Sequence, residues 1–317
     1  MERLLLLVVF AYIDMVGDIV NLKPKWRKAS RQGRCNQACR CARVNIRRKK
    51  AMTTFAHISD LHFGRDVLPV IDGLIERMDN VRPDLVIISG DLTQRARANQ
   101  FHAADRFLKR LSCPYLIVPG NHDLPLYNLF RRFGRPWKNW HRFVSRNMAP
   151  VVEGKGFIVV GVNTARRWAA PLDWTRGRIG AVQTRTIVNH LRTAPETDLR
   201  MLVAHHPFWL PANQARRHLI GGRDAALAIL RRAGLDMILS GHVHVAYTQL
   251  LDGIIVSHAG TGTSNRYSGQ ANSFNVLRGD RRRLTIDVML WDGHAFNAAE
   301  SRTFVRGEDQ WTSRKSP

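Results

Sequence analysis

Five short segments hold most of the side chains capable of metal or acid–base chemistry: Asp60-Leu-His62, Gly90-Asp91, Gly120-Asn-His-Asp123, His205-His-Pro207 and Gly241-His-Val-His244. Asp60 and His62 are two residues apart, as are His242 and His244. In extended backbone such pairs point to one side, so each can offer two ligands to one site. With Asp91, Asn121 and His205 the set reaches seven ligands: two Asp, one Asn and four His. Two cations with four protein contacts each need eight, which seven residues supply if the two oxygens of Asp91 bridge. Two divalent ions, two carboxylates and one hydroxide leave a residual single positive charge. Such a site attracts a phosphate oxygen and yields a nucleophile from water near neutral pH. Mixed imidazole and carboxylate ligation suits Mn, Fe or Zn. The remaining histidines, His57, His102, His141, His190, His218, His258 and His294, read as caps or solvated groups, with His57 a core group or one behind the site.

Each segment must be delivered by an element. Apolar runs predict strands at 55–59, 85–89, 115–118, 157–162, 200–204 and 238–240, with helical periodicity over 69–81, 99–111, 180–191 and 223–232 between them. From 254 onward the pattern turns mostly to strands (254–257, 274–277, 284–291). Alternating strands and helices followed by a run of strands predict an α/β body with two sheets. The five segments then fall at strand C-terminal ends, where open α/β sheets form their sites. Residues 127–150 and 164–179, rich in Arg, Trp and Pro, read as loop insertions beside such ends.

The five segments together resemble the calcineurin-like metallophosphoesterases over about residues 53–300, with no motif position departing from the pattern. The resemblance implies an α/β fold, a four-layer α-β-β-α sandwich with two mixed sheets, holding two divalent or mixed-valence metal ions. One would take Asp60, His62, Asp91 and His244, the other Asp91, Asn121, His205 and His242. It makes His122 the leaving-group acid or transition-state stabiliser, oriented by Asp123, and makes His205 the ligand because the family pattern is His-x-Pro. His206 and Arg65 are left as substrate candidates. His-Ile-Ser-Asp-Leu-His-Phe-Gly and His-His-Pro look most like the bacterial branch containing cyclic-nucleotide and glycerophosphodiester phosphodiesterases. The expected activity is therefore hydrolysis of a small-molecule phosphodiester by a bridging hydroxide. The alternatives are a pyrophosphatase for a nucleotide-sugar lipid precursor, or a nuclease of the same superfamily. A metal-bound scaffold without activity would have no need of His122 and Asp123.

The 317 residues carry 49 Lys/Arg and 25 Asp/Glu, a formal +24, with 44% apolar residues. This is a globular composition. Residues 1–51 hold 13 basic and 3 acidic residues, a net +10, which leaves +14 on the other 266. A body this basic favours anionic partners: a phosphoester substrate first, with nucleic acid or an acidic membrane surface also open. Arg131, Arg132, Arg135, Arg166 and Arg167 would suit a phosphate backbone. The apolar run Leu4–Ile13 is too short to span a bilayer, which takes roughly 20 residues, and Asp14 and Asp18 follow it. Cys35, Cys39 and Cys41 do not have paired zinc-arm spacing. Only Cys113 lies beyond them, which excludes a disulfide framework in the body and fits the cytoplasm, with peripheral membrane association the alternative. Residues 1–51 are expected to be a disordered basic extension or an artefact of start assignment, translation beginning at Met52, with the catalytic domain over 52–317. Nothing in the sequence fixes the oligomeric state.

Overall fold

The computed structural model describes residues 52–314 apart from 127, 169–172, 174, 215, 216 and 309; the expectations for 1–51 lie outside them. One sheet has seven strands. Three are parallel: β1 (Thr53–Ile58), β2 (Leu85–Ile88) and β3 (Tyr115–Ile117). The other sheet has six: β4 (Val151–Gly154), β5 (Phe157–Val162), β6 (Leu199–Ala204), β7 (Met237–Ser240), β8 (Tyr247–Leu251) and β9 (Ile254–His258). Its order is β4-β5-β6-β7-β9-β8, with β5, β6, β7 and β9 parallel and the two edge strands antiparallel. The chain then returns to the first sheet as an antiparallel run, β10 (Ser273–Gly279), β11 (Arg283–Trp291), β12 (Phe296–Arg306) and β13 (Trp311–Arg314). This completes the order β13-β12-β11-β10-β1-β2-β3. Both sheets are mixed, as expected.

Side-chain alternation along the strands creates the layers. Phe55, Leu85 and Ile87 of the first sheet pack with Val159, Met201, Val203, Met237 and Leu239 of the second, forming the core between sheets. Phe55 and Phe157 meet edge to face at 5.0 Å there. The intervening residues turn outward. Ala56, Ile58, Val86 and Ile88 pack beneath helices α1 (Leu68–Val81) and α2 (Ala98–Arg110). Ile158, Val160, Leu202 and Ile238 pack beneath helices that follow β5 and β6. Strands buried on both faces must be apolar at every position, which is why they read as unbroken runs. α1 buries Val70, Ile71, Leu74, Ile75 and Met78, a helical stripe. The four layers α-β-β-α follow from these three cores.

Residues 127–150 are not a loop insertion as expected. They contain α3 (Leu129–Gly134) and α4 (Lys138–Phe143), and Trp140 of α4 is fully buried against Phe101. The helices following β5 and β6 are α5 (Ala181–Thr193) and α6 (Arg223–Arg232). Among the described residues, no helix is long and apolar enough to cross a membrane.

Candidate metal centre

All five segments sit just past the C-terminal ends of parallel strands: β1, β2 and β3 in one sheet, β6 and β7 in the other. The expected mechanism of pairing was different. Asp60 and His62 are not extended; both adopt left-handed backbone, φ 53° and 47°, as do Asp91 (51°), His242 (75°) and His244 (61°). Five of the seven expected ligands thus occupy a conformation costing about 1 kcal/mol or more for a residue with a Cβ. Alternate left-handed residues, not strand alternation, turn each pair inward. The loops are pinned to one another: Asp60 N donates to Gly90 O and His62 N to Asp91 O, at 3.1 and 3.0 Å. Gly90 (φ +102°) permits a close approach, since a Cβ there would lie 2.8 Å from His205 Nδ1.

Each carboxylate spends one oxygen on the scaffold. Asp60 Oδ2 accepts from His242 N (2.9 Å) and Asp91 Oδ1 from His122 N (2.8 Å). Asp91 therefore presents one oxygen inward, not the expected two. That atom, Oδ2, lies 3.7 Å from His62 Nε2 and 3.3 Å from His205 Nε2. On the first side Asp60 Oδ1 stands 3.5 Å from His62 Nε2 and 3.2 Å from His244 Nε2. On the second, Asn121 Oδ1 stands 3.2 Å from His205 Nε2 and 3.1 Å from His242 Nδ1.

These atoms are mostly acceptors facing acceptors. His244 Nδ1 donates to Arg266 O and His205 Nδ1 to Ser89 O, both at 2.8 Å, so each Nε2 carries its lone pair inward. His62 and His244 bring their Nε2 atoms within 3.0 Å. Asp60 Oδ1 is buried with no hydrogen-bond partner. Convergent lone pairs and an orphaned carboxylate oxygen are the donor set of a cation, and Asp60, His62 and His244 form one group with metal-binding spacing.

The electrostatics agree. Burial lowers His62 to about 4 and His242 to about 3, so both are neutral at pH 7. Burial opposes ionisation of Asp60 and Asp91, but the surrounding imidazoles outweigh it and hold both well below the usual carboxylate range. His205 goes the other way: burial opposes its charge, yet Asp91 draws it up to about 9. A proton and a cation compete for that Nε2 lone pair.

His122 and Asp123 are adjacent in sequence but do not pair as expected. His122 Nδ1 donates to Gln94 O at 2.8 Å. Asp123 is buried and turned to the main chain, accepting from Gly120 N, Leu92 N and Thr93 N. Burial and the neighbouring Asp91 charge push it up to about 7. Its role is to hold the β2 and β3 loops together. His206 is buried beside His205 and His242, its Nδ1 2.7 Å from Thr164 Oγ1. Arg65 is exposed, and its main chain binds Asn265. His258, expected at the surface, is buried and stacked on Tyr247. His57 is buried with Nε2 2.9 Å from Ser89 Oγ, behind the site as expected.

Arg266 escaped the sequence reading. Its carbonyl fixes His244, and its Nη1 donates to His122 Nε2 at 3.0 Å and lies 3.3 Å from His62 Nε2. The signal was the run Gly260-Thr-Gly-Thr-Ser264 after β9. Thr261 and Thr263 hydroxyls donate to the carbonyls of Asp60 and Leu61 at 2.8 and 2.9 Å, seating that loop on the first segment.

The calcineurin-like phosphoesterase model matches residues 53–246, which carry all five segments from Asp60 to His244. The chain belongs to the calcineurin-like phosphoesterase family. It is a hydrolytic phosphoesterase. It is 25% identical over 219 residues, 63% of this chain and 76% of the relative, to a probable cyclic nucleotide phosphodiesterase of Synechococcus sp.. It is 24% identical over 196 residues, 60% of this chain and 68% of the relative, to a probable glycerophosphodiester phosphodiesterase GpdQ of Arcobacter nitrofigilis. Among solved structures, the fold is shared with a purple acid phosphatase from yellow lupin (TM-score 0.63, 14% identity, 82% of this chain and 55% of that one). It is also shared with a dimetal phosphatase from Danio rerio (TM-score 0.56, 15% identity, 79% and 98%).

Proposed function

We propose that this phosphoesterase hydrolyses a small-molecule phosphodiester, a cyclic nucleotide or a glycerophosphodiester, at a centre of two divalent cations. Asp60, His62, Asp91 and His244 would hold one and Asp91, Asn121, His205 and His242 the other. The observation that carries the reading is the single inward oxygen of Asp91, set between His62 Nε2 and His205 Nε2 with a complete half-set of ligands on each side. When bound, divalent cations supply Lewis acidity toward the phosphoryl oxygens and a nucleophile from water at neutral pH.

The chain's own groups do the rest. The left-handed loops fix the ligands before substrate arrives, so no reorganisation is needed as charge develops. Gln94 O keeps the Nδ1 proton on His122, and the ring presents Nε2. In the present arrangement that nitrogen accepts from Arg266. For His122 to protonate a departing alkoxide, the guanidinium must move from Nε2 and that nitrogen must first take a proton from solvent, giving the imidazolium; the developing phosphate charge offers the guanidinium a better partner. Arg266 and His122 would then share the leaving-group side. The names of the two curated relatives support a diester substrate.

A substrate panel tests this. Full-length protein reconstituted with Mn²⁺ is assayed on a cyclic nucleotide, a glycerophosphodiester, a nucleotide-sugar pyrophosphate, DNA and a phosphomonoester. A diester turned over with the highest kcat/KM supports the proposal. Preference for the pyrophosphate, DNA or the monoester overturns it.

A further inference from the structure

We propose that the surface beside the His122 loop is a docking face for an anionic lipid bilayer. The surface is built from α3 and the segment after β5. Phe130 is 95% exposed, Trp168 67%, Leu129 47% and Phe133 41%. Isolated exposed apolar residues are ordinary, but these are contiguous. Phe130 and Phe133 share one side of α3, Phe133 meets Trp168 edge to face at 5.3 Å, and Leu126 and Leu129 line a cleft of about 580 Å³ with Phe130.

The platform is fixed rather than loose. Arg132, on the opposite side of α3, is buried, and its guanidinium donates to three main-chain carbonyls: Arg167 O (2.9 Å), Pro125 O (3.0 Å) and Arg166 O (2.8 Å). One buried cation thus ties both segments together and keeps their apolar side chains on a shared surface.

Along α3 and its flanks the charge is of one sign. Residues 124–152 contain six Lys/Arg and no Asp or Glu. Exposed Arg131 and Arg135 flank the aromatic residues on α3, Arg167 adjoins Trp168, and Arg97 lines the cleft with Phe130 and Leu129. Protruding aromatic and aliphatic side chains ringed by arginine match the interface of an anionic bilayer, where rings reach roughly 5–10 Å below the headgroups and arginine meets lipid phosphate. A nucleic acid would use the arginines and could stack on the rings, but it offers nothing to Leu126 and Leu129. The cleft also runs to Arg95 and Ala96, next to Gln94, whose carbonyl holds His122. Docking here would bring the metal-ligand cluster to the membrane surface.

The test is co-sedimentation of the full chain with vesicles of phosphatidylcholine alone and of an equal mixture of phosphatidylcholine and phosphatidylglycerol. Because residues 1–51 are themselves basic, the decisive comparison is between wild type and Phe130→Glu, with Ile229→Glu as a surface control far in sequence. All three proteins should melt at the same temperature, since both side chains are exposed. The expected result is binding to the mixed vesicles only, weakened about tenfold or more by Phe130→Glu and unchanged by Ile229→Glu, the loss of one inserted Phe being of that order. No binding to mixed vesicles, or equal binding by wild type and Phe130→Glu, overturns the proposal. So does a Phe130-dependent dimer, or Phe130-dependent binding of single-stranded DNA without vesicle binding.

Discussion

At the residue scale, the two oxygens of each buried carboxylate have different uses. Asp91 gives Oδ1 to His122 N and keeps Oδ2 for the centre; Asp60 gives Oδ2 to His242 N and keeps Oδ1. Asp91 Oδ2 adjoins both ligand halves, near His62 Nε2 on one side and His205 Nε2 on the other. Asp91→Ala should therefore lower occupancy of both cation sites, and Asp60→Ala chiefly one, as read by elemental analysis; an Asp91 variant that retains two ions contradicts the bridge. His122 touches none of the inward ligand oxygens with its ring, so His122→Ala should keep its metal. It should lose roughly 10²–10⁴-fold in kcat on substrates with alkoxide leaving groups, the usual range for general acid catalysis. On a nitrophenyl diester, whose leaving group needs little protonation, the loss should be smaller. Equal losses on both would leave His122 an electrostatic role alone. That these side chains meet was legible in the sequence because all five segments follow strands of an alternating α/β pattern, whose C-terminal ends gather on one side. The reason for their convergence was not: left-handed backbone at Asp60 and His62 leaves no mark in residue type, since Asp and His tolerate it without a glycine beside them. Nor was the Asp123 contact, because adjacency in sequence says nothing of where a turn aims two side chains.

At the scale of elements, the strands and helices that are apolar on a clear period were legible, and α6 runs over Arg223–Arg232 as expected. What the periodicity missed lies at sheet edges or, for β12, one strand in from an edge. β4 and β8 are half-buried, β12 carries a polar exposed stretch, and β13 is short, so none forms an apolar run. These edges are held by a specific polar contact. Asp236, fully buried before β7, accepts from Arg200 N (2.9 Å) and Trp311 Nε1 (3.1 Å) and pairs with Arg281 (3.0 Å) and Arg306. One carboxylate thus binds the C-terminal strands of one sheet to the other sheet. Asp236→Ala leaves two arginines without their partner, and should cost about 3–5 kcal/mol in chemical denaturation. A loss below 1 kcal/mol would show that the strands are held by apolar packing alone. Trp140, buried on α4, makes the corresponding point for 127–150: Trp140→Ala should destabilise by about 3–5 kcal/mol, which a loop insertion would not.

At the scale of the molecule, the four layers put five strand ends from two sheets against one another. That is why residues from 60 to 244 converge and why Arg266 can join them. The described residues begin at Met52, and every proposed ligand lies beyond it, so we propose that a chain starting at Met52 folds and keeps its hydrolytic activity. Insoluble or inactive protein from that start, beside active full-length protein, would make residues 1–51 part of the catalytic domain. The central claim is that hydrolysis needs two cations in one ligand set. Protein exhaustively stripped with chelator should be inactive on a nitrophenyl phosphodiester. Titration with Mn²⁺ should restore activity, with full rate reached only when elemental analysis finds two ions per chain. Full activity in the stripped protein, or a full rate reached at one ion per chain, would contradict the account.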